Sequence, residues 1–546
     1  MKTPDRHILW LPVFVILIAA VSLAQETKPV EPPPDQRVKE IGQTVTNWNY
    51  AHYKEDKLLW ESRGKTAVIK DTKVTVQGLE MIYYPKPTVT ATDSAPAETD
   101  PGRIFINADE GVIRKNDNFA ALKGNINARW EKKNTLGKID ITNKLAADEL
   151  VMDMASKVLS STGFVSITHW LEQQNADNTA PENAPHIFIT GKGFTGQSNL
   201  STFTFHQLVQ VKMNGLGFSP LLFNPPAQPP GDKTASGETT IVANDSMEAV
   251  PASFRQENDS RRISFTGKVV LTQGPTKLYT DHLEILVVRT VNAQTKLNEY
   301  MLNNTRAFGG VRIENQTALS SSDWSAASDT FIRDDIAGTV FFTATGNTLA
   351  NLRTNSLNFV ARTLQMRTAQ NILTLKGEKR LVIESPISGT ADTSRINITA
   401  RDDVQAYMSD GRIVFQNSVR MSQEQNPVSN TEVSALDQLI SDKLALSFDP
   451  ISNTVSKMRA EGNVMLMGMT GSWAQGECLE WDPATGQIDI RSNRKVKVWH
   501  NKTLLESDEI IIFTAVGGAV QIGQWERIEG RSKEGGSGVI KMATPK

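Results

Sequence analysis

The chain has 546 residues, of which 39% are hydrophobic and 22% are charged, with a formal net charge of −2. A chain so close to neutral lacks the basic surface typical of nucleic-acid-binding domains, so we expect no nucleic-acid partner. Its single cysteine, Cys478, excludes an intramolecular disulfide framework and a zinc cluster built from cysteines.

The N-terminus has the pattern of an export segment. Lys2 and Arg6 precede an uncharged apolar run from residue 8 to residue 24, which is typical of a signal peptide. Ser22-Leu23-Ala24 offers a cleavage site, and the run is also just long enough for a short membrane anchor. Both interpretations of residues 1–24 stay open, and both predict an exported chain. Residues 25–50 are polar and proline-rich and predict an extended spacer.

The stretch from Leu122 to Ile167 shows the pattern that recurs downstream. Apolar residues fall on alternate positions of three short segments, which predicts β-strands with one apolar face. The glycines, such as Gly124, are expected at strand entries, where a bulge or tight turn costs little. The alternating residues in this stretch are Ile126, Ala128 and Trp130, then Leu150, Met152 and Met154, then Val165 and Ile167.

Two strand types repeat along the chain. One is glycine followed by alternating apolar residues, and the other is a small residue and an aspartate followed by alternating apolar residues. The aspartates are predicted to lie at strand starts and to bond local backbone rather than to form a catalytic set. The glycines are Gly124, Gly267 and Gly462, and the aspartates are Asp148, Asp281, Asp442 and Asp508.

The turns repeat as well, and they predict antiparallel hairpins. Asp153, Asp449 and Asp482 each follow a small-Asp strand, and proline follows two of the three. Aspartate at the first position of a turn and proline at the second favour a type I turn. After residue 45 only Glu432 to Lys443 has helical spacing, which predicts a helix of one or two turns. The chain is therefore predicted to be all-β, as a sandwich, an open barrel or a jelly roll.

Composition divides this β-region into parts. Residues 217–240, rich in proline and glycine, predict a linker between a unit at 51–216 and a region at 241–530, where the strand pattern restarts. Residues 531–546 are predicted to be a flexible C-terminal tail.

No catalytic constellation is recognisable, so we expect that the chain is not an enzyme and carries no cofactor. Motifs such as Gly-x-Ser-x-Gly and His-Glu-x-x-His do not occur, and the seven histidines are scattered. Met465, Met467 and Met469 alternate in a way that a thioether copper site would need, but flexible packing on a sheet face explains them more simply.

The remaining signal is the apolar face itself. On periodicity alone, the dry core of ordinary β-sandwiches explains this face best. The alternative is an incompletely closed sheet whose interior holds a lipid. The candidate lipid-lining residues are Ile126, Ala128, Trp130, Leu150, Met152, Val165, Ile167, Val269, Leu271, Leu283, Ile285, Leu444, Leu446, Val464, Leu466, Ile510 and Ile512.

The order of these motifs resembles the LptC family, the membrane-anchored periplasmic component of lipopolysaccharide export. The matching series runs from the Trp60 strand through Ala108-Asp109, Leu122-x-Gly124-x-Ile126, Ala147-Asp148-x-Leu150 and Gly163-x-Val165 to Gly191-x-Gly193. After the linker the chain is similar to the LptA/OstA-like repeat of the same pathway, at Gly267 and Asp281 and again at Asp442, Gly462 and Asp508. The chain is much longer than a lone LptC, and residues 315–440 match poorly, so one or two LptA-like domains are expected.

The resemblance implies open antiparallel β-jelly rolls in tandem that bind lipopolysaccharide acyl chains inside. It implies a periplasmic protein, held in the inner membrane by its N-terminal segment or cleaved and soluble. Its expected partners are lipopolysaccharide, an inner-membrane ABC transporter that supplies the energy, and other jelly-roll proteins joined by β-strand addition. The alternatives are a structural or adhesive exported β-repeat protein with dry cores and a β-rich enzyme acting on polysaccharide, which the missing carboxylate pair disfavours.

Overall fold

In the computed structural model the chain is a ladder of antiparallel strands. The residues described are 42–54, 57–84, 102–114, 118–133, 139–175, 186–214, 239–251, 260–291, 298–316, 323–354, 356–386, 393–424, 437–449, 455–468, 471–500, 502–514, 525–532 and 537–541. They form 29 strands in one sheet.

The strands of the N-terminal part are β1 (Gln43–Lys54), β2 (Lys57–Lys70), β3 (Lys73–Tyr83), β4 (Arg103–Arg114), β5 (Phe119–Lys133), β6 (Ile139–Asp153), β7 (Val158–Asn175), β8 (His186–Gln197) and β9 (Phe203–Asn214). The middle part contains β10 (Thr239–Ala243), β11 (Ser246–Pro251), β12 (Ser260–Gln273), β13 (Thr276–Val291), β14 (Asn298–Asn315), β15 (Trp324–Asp334), β16 (Thr339–Thr343), β17 (Ala350–Arg353), β18 (Leu357–Arg367) and β19 (Ile372–Pro386). The C-terminal part contains β20 (Thr393–Thr399), β21 (Val404–Tyr407), β22 (Arg412–Glu424), β23 (Asp437–Phe448), β24 (Val455–Met467), β25 (Trp473–Asp482), β26 (Gln487–His500), β27 (Thr503–Thr514), β28 (Trp525–Arg531) and β29 (Ser537–Lys541).

The prediction of an all-β chain of antiparallel strands is confirmed, since the described residues contain no helix. Nothing in those ranges therefore provides the long apolar helix that a membrane crossing would need. Residues 1–24, where the anchor or signal segment is predicted, lie outside the described residues.

The strands pair almost entirely in chain order, as a meander. Each strand from β1 to β8 pairs antiparallel with the next one, and β22 to β29 do the same. At three places two short strands share one position of the ladder. These are β10 with β11 between β9 and β12, β16 with β17 between β15 and β18, and β20 with β21 between β19 and β22.

The sheet continues across the predicted linker. Thr239 of β10 pairs with Met213 of β9, and Met247 of β11 pairs with Phe205 of β9. Residues 217–238 of that linker lie outside the described residues, and the strands on either side are direct neighbours. The two predicted units are therefore joined edge to edge within one chain.

Two predicted boundaries are wrong. The spacer was expected to reach residue 50, but β1 begins at Gln43. Here the buried Trp48 stacks on Tyr50 with ring centroids 5.6 Å apart, and its indole Nε1 donates to Ser62 Oγ at 3.1 Å. The many polar residues of β1 obscured the alternation of inward and outward side chains, so the sequence did not indicate a strand there. The C-terminal tail expected at 531–546 contains β29, which pairs with β28.

The predicted helix at Glu432–Lys443 is also wrong over the described part of that range. From Asp437 onward the chain forms β23, which pairs with β22 and β24. The spacing of Leu436, Leu439 and Ile440 imitates a helical face because the pairing of β23 with β22 slips at Gln438, between Asp437 and Leu439. A β-bulge breaks the two-residue period, so a short bulged strand reads like a helical turn.

The Asp turns are confirmed at two hairpins. Asp153 Oδ1 accepts from the backbone N–H groups of Ala155 at 2.9 Å and Ser156 at 3.1 Å, between β6 and β7. Asp482 Oδ1 accepts from Ala484 N at 2.9 Å between β25 and β26. These bonds hold each turn from its first residue.

Candidate functional site

A row of irregularities crosses the sheet near the middle of most strands. The register slips between Lys123 and Ile126 on β5, between Thr266 and Val269 on β12, and between Glu461 and Val464 on β24. At the three places where two short strands share one position, the gap between the two short strands lies opposite a register slip of the neighbouring strand. These gaps therefore belong to the same row. We call this row the bulge line. Bulges bend strands and increase twist, so the line allows the sheet to curl over its apolar face.

The recurring glycines and aspartates meet at the bulge line. On β5, Gly124 has a φ of +75°, and a Cβ there would lie 2.6 Å from Asp109 Oδ2 of β4. The side-chain Nδ2 of the next residue, Asn125, donates to the same oxygen at 2.8 Å. A carboxylate thus fills the space above the glycine, and only glycine combines this backbone conformation with that space.

The same contact recurs far along the chain. Asn463 Nδ2 donates to Asp442 Oδ2 at 2.8 Å, and a Cβ on Gly462 would lie 2.5 Å from that oxygen. The predicted position of the aspartates at strand starts is therefore wrong. Asp148, Asp281, Asp442 and Asp508 lie within β6, β13, β23 and β27, at the bulge line. Sequence alone suggested a strand start because alternation resumes in a new register after each bulge.

The inner face of the sheet gathers all seventeen candidate lining residues. All are buried, and the most exposed of them, Trp130, shows 8% of its surface. All belong to one contact cluster of buried apolar residues that extends from Trp48 to Ile528. The alternation thus identified which side chains point inward, while their role in lipid binding stays a prediction.

Phenylalanines fill much of the interior, although none of them is among the predicted lining residues. Phe194 and Phe205 have ring centroids 5.3 Å apart, and Phe331 and Phe342 have theirs 5.2 Å apart. The fully buried members of this set are Phe194, Phe205, Phe265, Phe331, Phe342, Phe359 and Phe415. The alternation of apolar and polar residues within their own strands was the sequence signal that could have predicted their burial.

Strands that are not neighbours in the ladder also meet. The indole Nε1 of Trp130, near the end of β5, donates to the backbone carbonyl of Ser198 at 2.6 Å, just after β8. Arg261 Nη1 of β12 reaches the carbonyl of Leu200 in the same turn at 3.3 Å. β8 is three ladder positions from β5 and three from β12, so the sheet curls far enough for elements three positions apart to touch.

The region at 315–440 follows the same plan with different residues. Asp329 of β15 accepts from Thr345 N at 2.5 Å and from Thr348 Oγ1 at 3.2 Å, and the bond from Thr345 N lowers the pKa of its carboxyl. Arg362 of β18 donates to the carbonyls of Gly346 at 2.7 Å and Thr348 at 2.8 Å. Asp329 and Arg362 hold the break between β16 and β17. The recurring motifs match poorly in this region because Asp329 and Arg362 bind backbone groups at the bulge line in place of the aspartate-over-glycine contact.

An open cleft of about 650 Å³ lies on the exposed side of the bulge line across β4 to β9. Leu150 and Phe194 are buried residues of its lining, while Glu149, Lys192 and His206 are exposed ones. Glu149 accepts hydrogen bonds from the hydroxyl and the backbone N–H of Thr162, and the hydroxyl bond is the main cause of its lowered pKa. The cleft brings solvent close to the interior beside Leu150.

The described residues contain no group of three or more His, Cys, Asp or Glu side chains that could hold a metal ion. Met465 and Met467 alternate with the buried Val464 and Leu466 and lie half-exposed on the outer face. Met469 lies outside the described residues.

Comparison with known proteins gives only a weak likeness, among solved structures. No protein-family model matches the chain, and no curated protein matches it. Among solved structures, the chain is similar to LptH from Pseudomonas aeruginosa, described as the LptA-homologous periplasmic component of the conserved lipopolysaccharide transport device. The TM-score is 0.18 and the identity 15%, over 25% of this chain and 94% of that chain. No family follows from a similarity at this level.

Proposed function

We propose that this chain carries lipopolysaccharide across the periplasm, holding its acyl chains against the apolar inner face of the sheet. The observation that supports this most is the single buried apolar cluster from Trp48 to Ile528 on one unbroken sheet. Each CH₂ group exposed to water costs about 0.8 kcal/mol, so an apolar path without gaps lowers the cost of moving an acylated lipid. The resemblance of the motif series to LptC and LptA/OstA-like repeats supports lipopolysaccharide as the lipid.

The proposed role needs no chemical step. The inner face offers aliphatic, methionine and phenylalanine side chains, which bind acyl chains without a reacting group. In this proposal the chain is not an enzyme, and an inner-membrane ABC transporter supplies the energy. The N-terminal segment holds the chain in the inner membrane, or is cleaved to release it into the periplasm.

The two ends of the ladder are the proposed joints to other jelly rolls. β1 pairs only with β2 among the described strands, and β29 pairs only with β28. An open strand edge presents unpaired backbone groups that a strand of another chain can complete. The contact of β9 with β10 and β11 is an intramolecular example of such a joint.

Lipid entry requires the interior to open. Met152 and Leu283 are fully buried, so the side chains of the protein fill the space that an acyl chain would occupy. We infer that the two halves of the sheet, one on each side of the bulge line, move apart when lipid enters. The same filled interior favours a second candidate, an exported structural β-repeat protein whose dry cores never open.

Photocrosslinking inside cells distinguishes the two. A photoreactive residue replaces Leu150 or Leu283, which face inward, and in matched controls Val151 or Glu284, their outward-facing neighbours. The carrier predicts an ultraviolet-dependent lipopolysaccharide adduct from both inner positions and little from the outer ones. Folded, exported protein without an adduct at either inner position would support the dry-core alternative.

A further inference from the structure

An apolar patch lies on the outer face of the sheet, close to its C-terminal end. Met467 of β24 is directly opposite Trp473 of β25, Trp473 is opposite Trp499 of β26, and Trp499 is opposite Leu504 of β27. Directly opposed residues lie on the same face of a sheet. We call these four residues the outer tip patch.

The outer tip patch faces away from the core. Its members alternate along their strands with the buried Leu466, Ala474 and Val498. Trp499 is 37% exposed and Leu504 is 48% exposed. Neighbouring large apolar side chains left in solvent mark a surface that binds something.

The patch sits at a corner of the sheet. Trp499 and Leu504 flank the turn between β26 and β27, at the ends of both strands. β28 pairs with β27 only from Glu509 to Thr514, so the half of β27 that carries Leu504 borders no further strand of the described residues. A hairpin end at an unpaired strand edge projects from the sheet, so it can insert into a lipid surface that has no preformed binding pocket.

The surrounding charge is weakly basic. Lys497 lies beside the patch on the same face and is ion-paired with Glu506 at 3.5 Å, so the net positive charge comes from Lys502, which is exposed in the turn itself. Tryptophan and aliphatic side chains with nearby lysines are the composition that binds the headgroup region of a membrane containing anionic lipids.

We propose that the outer tip patch docks on the surface of a lipid bilayer that contains anionic headgroups. Trp499 and Leu504 enter the headgroup boundary, Trp473 and Met467 contact it from the side, and Lys502 meets the anionic groups. This assigns a function to the outer face, separate from the acyl-chain binding proposed for the inner face.

The position of the patch gives it a further meaning, which rests on the proposed function. About 25 strand-to-strand steps of roughly 4.8 Å separate β1 from β29, so the ladder measures about 120 Å along its contour. The outer tip patch lies near the end opposite the N-terminal segment. A chain held in one membrane by that segment would touch a second membrane with the patch.

A dye at the hairpin tip tests the proposal in the full-length chain. Cys478→Ser removes the native thiol, and Lys502→Cys carries an environment-sensitive dye. The N-terminal segment is held in phosphatidylcholine nanodiscs, or the chain is used directly if that segment has been cleaved. Vesicles of phosphatidylglycerol and phosphatidylethanolamine are added, and the emission shift is measured against lipid concentration. A matched control carries the dye at Ser156→Cys, in the exposed turn between β6 and β7.

We expect a blue shift at position 502 with anionic vesicles, a weaker one with neutral vesicles or high salt, and none at position 156. Adding Trp499→Ser and Leu504→Ser should raise the half-saturating lipid concentration at least about tenfold. Both residues are exposed, so unchanged circular dichroism is expected to show that the double variant folds.

Three results would overturn the proposal. The first is no shift at position 502 with any vesicle, and the second is an unchanged shift in the double variant. The third is a shift without vesicles that grows with protein concentration, which would assign the patch to a second copy of the chain. Because these vesicles contain no lipopolysaccharide, the outcome is independent of crosslinking from Leu150 and Leu283.

Discussion

Asp281 on β13 lies directly over Gly309 on β14. A Cβ at position 309 would lie 2.8 Å from Asp281 Oδ2, and Gly309 has a φ of +82°. Asp109 with Gly124 and Asp442 with Gly462 repeat this relationship. At these three places the two recurring strand types form one contact, in which an aspartate on one strand fills the space left by a glycine on the next.

Gly309→Ala is expected to destabilise the sheet more than Gly310→Ala. Both residues have positive φ, but a Cβ at position 310 meets nothing within 4 Å. We expect a cost of about 1 kcal/mol for the control and about 2–3 kcal/mol for Gly309→Ala, because the latter adds a steric clash to the strained backbone. Urea unfolding and amide exchange around β14 measure both. Asp281→Ala should reduce the difference, and equal costs for the two variants would contradict the proposed contact.

Lys268→Asn is expected to stabilise the bulge on β12. Lys268 has a φ of +48° beside Gly267, in the place that Asn125 and Asn463 occupy on β5 and β24. Asparagine tolerates this conformation better than lysine and could donate to Asp245, which lies over Gly267. We expect a gain of about 0.5–1 kcal/mol in urea unfolding. Lys268→Ala cannot form this bond, and an equal gain from it would contradict the hydrogen bond.

Leu150→Asp and Val151→Asp separate the two faces of β6. Leu150 is 1% exposed in the interior, whereas Val151 is half-buried on the outer face. A carboxylate at position 150 would lack a partner among apolar side chains, and we expect a loss of several kcal/mol or failure to fold. Val151→Asp should cost about 1 kcal/mol or less. Thermal unfolding of the purified chains measures the difference, and similar losses would mean that the two faces are wrongly assigned.

Thr162→Val is expected to make stability less dependent on pH. The hydrogen bond from the Thr162 hydroxyl lowers the folded-state pKa of Glu149 below its ordinary value. A lowered carboxyl pKa stabilises the fold above the unfolded-state pKa, about 4.3, and this stabilisation is lost as the pH falls through the lowered value. The variant should therefore be less stable than the native chain at neutral pH, and the gap should shrink as the pH falls through the lowered pKa of Glu149.

Urea midpoints of both chains at several pH values measure this gap. Thr168→Val, on the same strand β7, serves as a control whose effect should not change with the ionisation of Glu149. A gap that stays constant from neutral to acid pH would assign the loss in Thr162→Val to packing instead.

Alternation predicted the inner face well because burial repeats every two residues wherever the strand is regular. Ile126, Leu150, Val269 and Ile512 all point inward as that period requires. The period fails where the register slips, and two of the wrong predictions lie at such slips. Asp148 looked like a strand start, and Leu439 with Ile440 looked like a helical face.

Other features depend on contacts that no local pattern encodes. The pairing of β9 with β10 joins strands on both sides of a long proline-rich segment. The composition of that segment predicted a linker between two separate units, because composition carries no information on strand pairing. The contact of Trp130 with the Ser198 carbonyl depends on how far the sheet curls. The outer tip patch arises only when four strands align Met467, Trp473, Trp499 and Leu504 side by side.

The chain-order pairing of the strands has a consequence for protein length. Each strand is hydrogen-bonded only to strands at adjacent positions of the ladder, so inserting or deleting one complete hairpin leaves all other pairings in place. Such a change would lengthen or shorten the ladder by about 10 Å while preserving which side chains point inward. Related chains of this architecture are therefore expected to differ in length by whole hairpins, in steps of two strands.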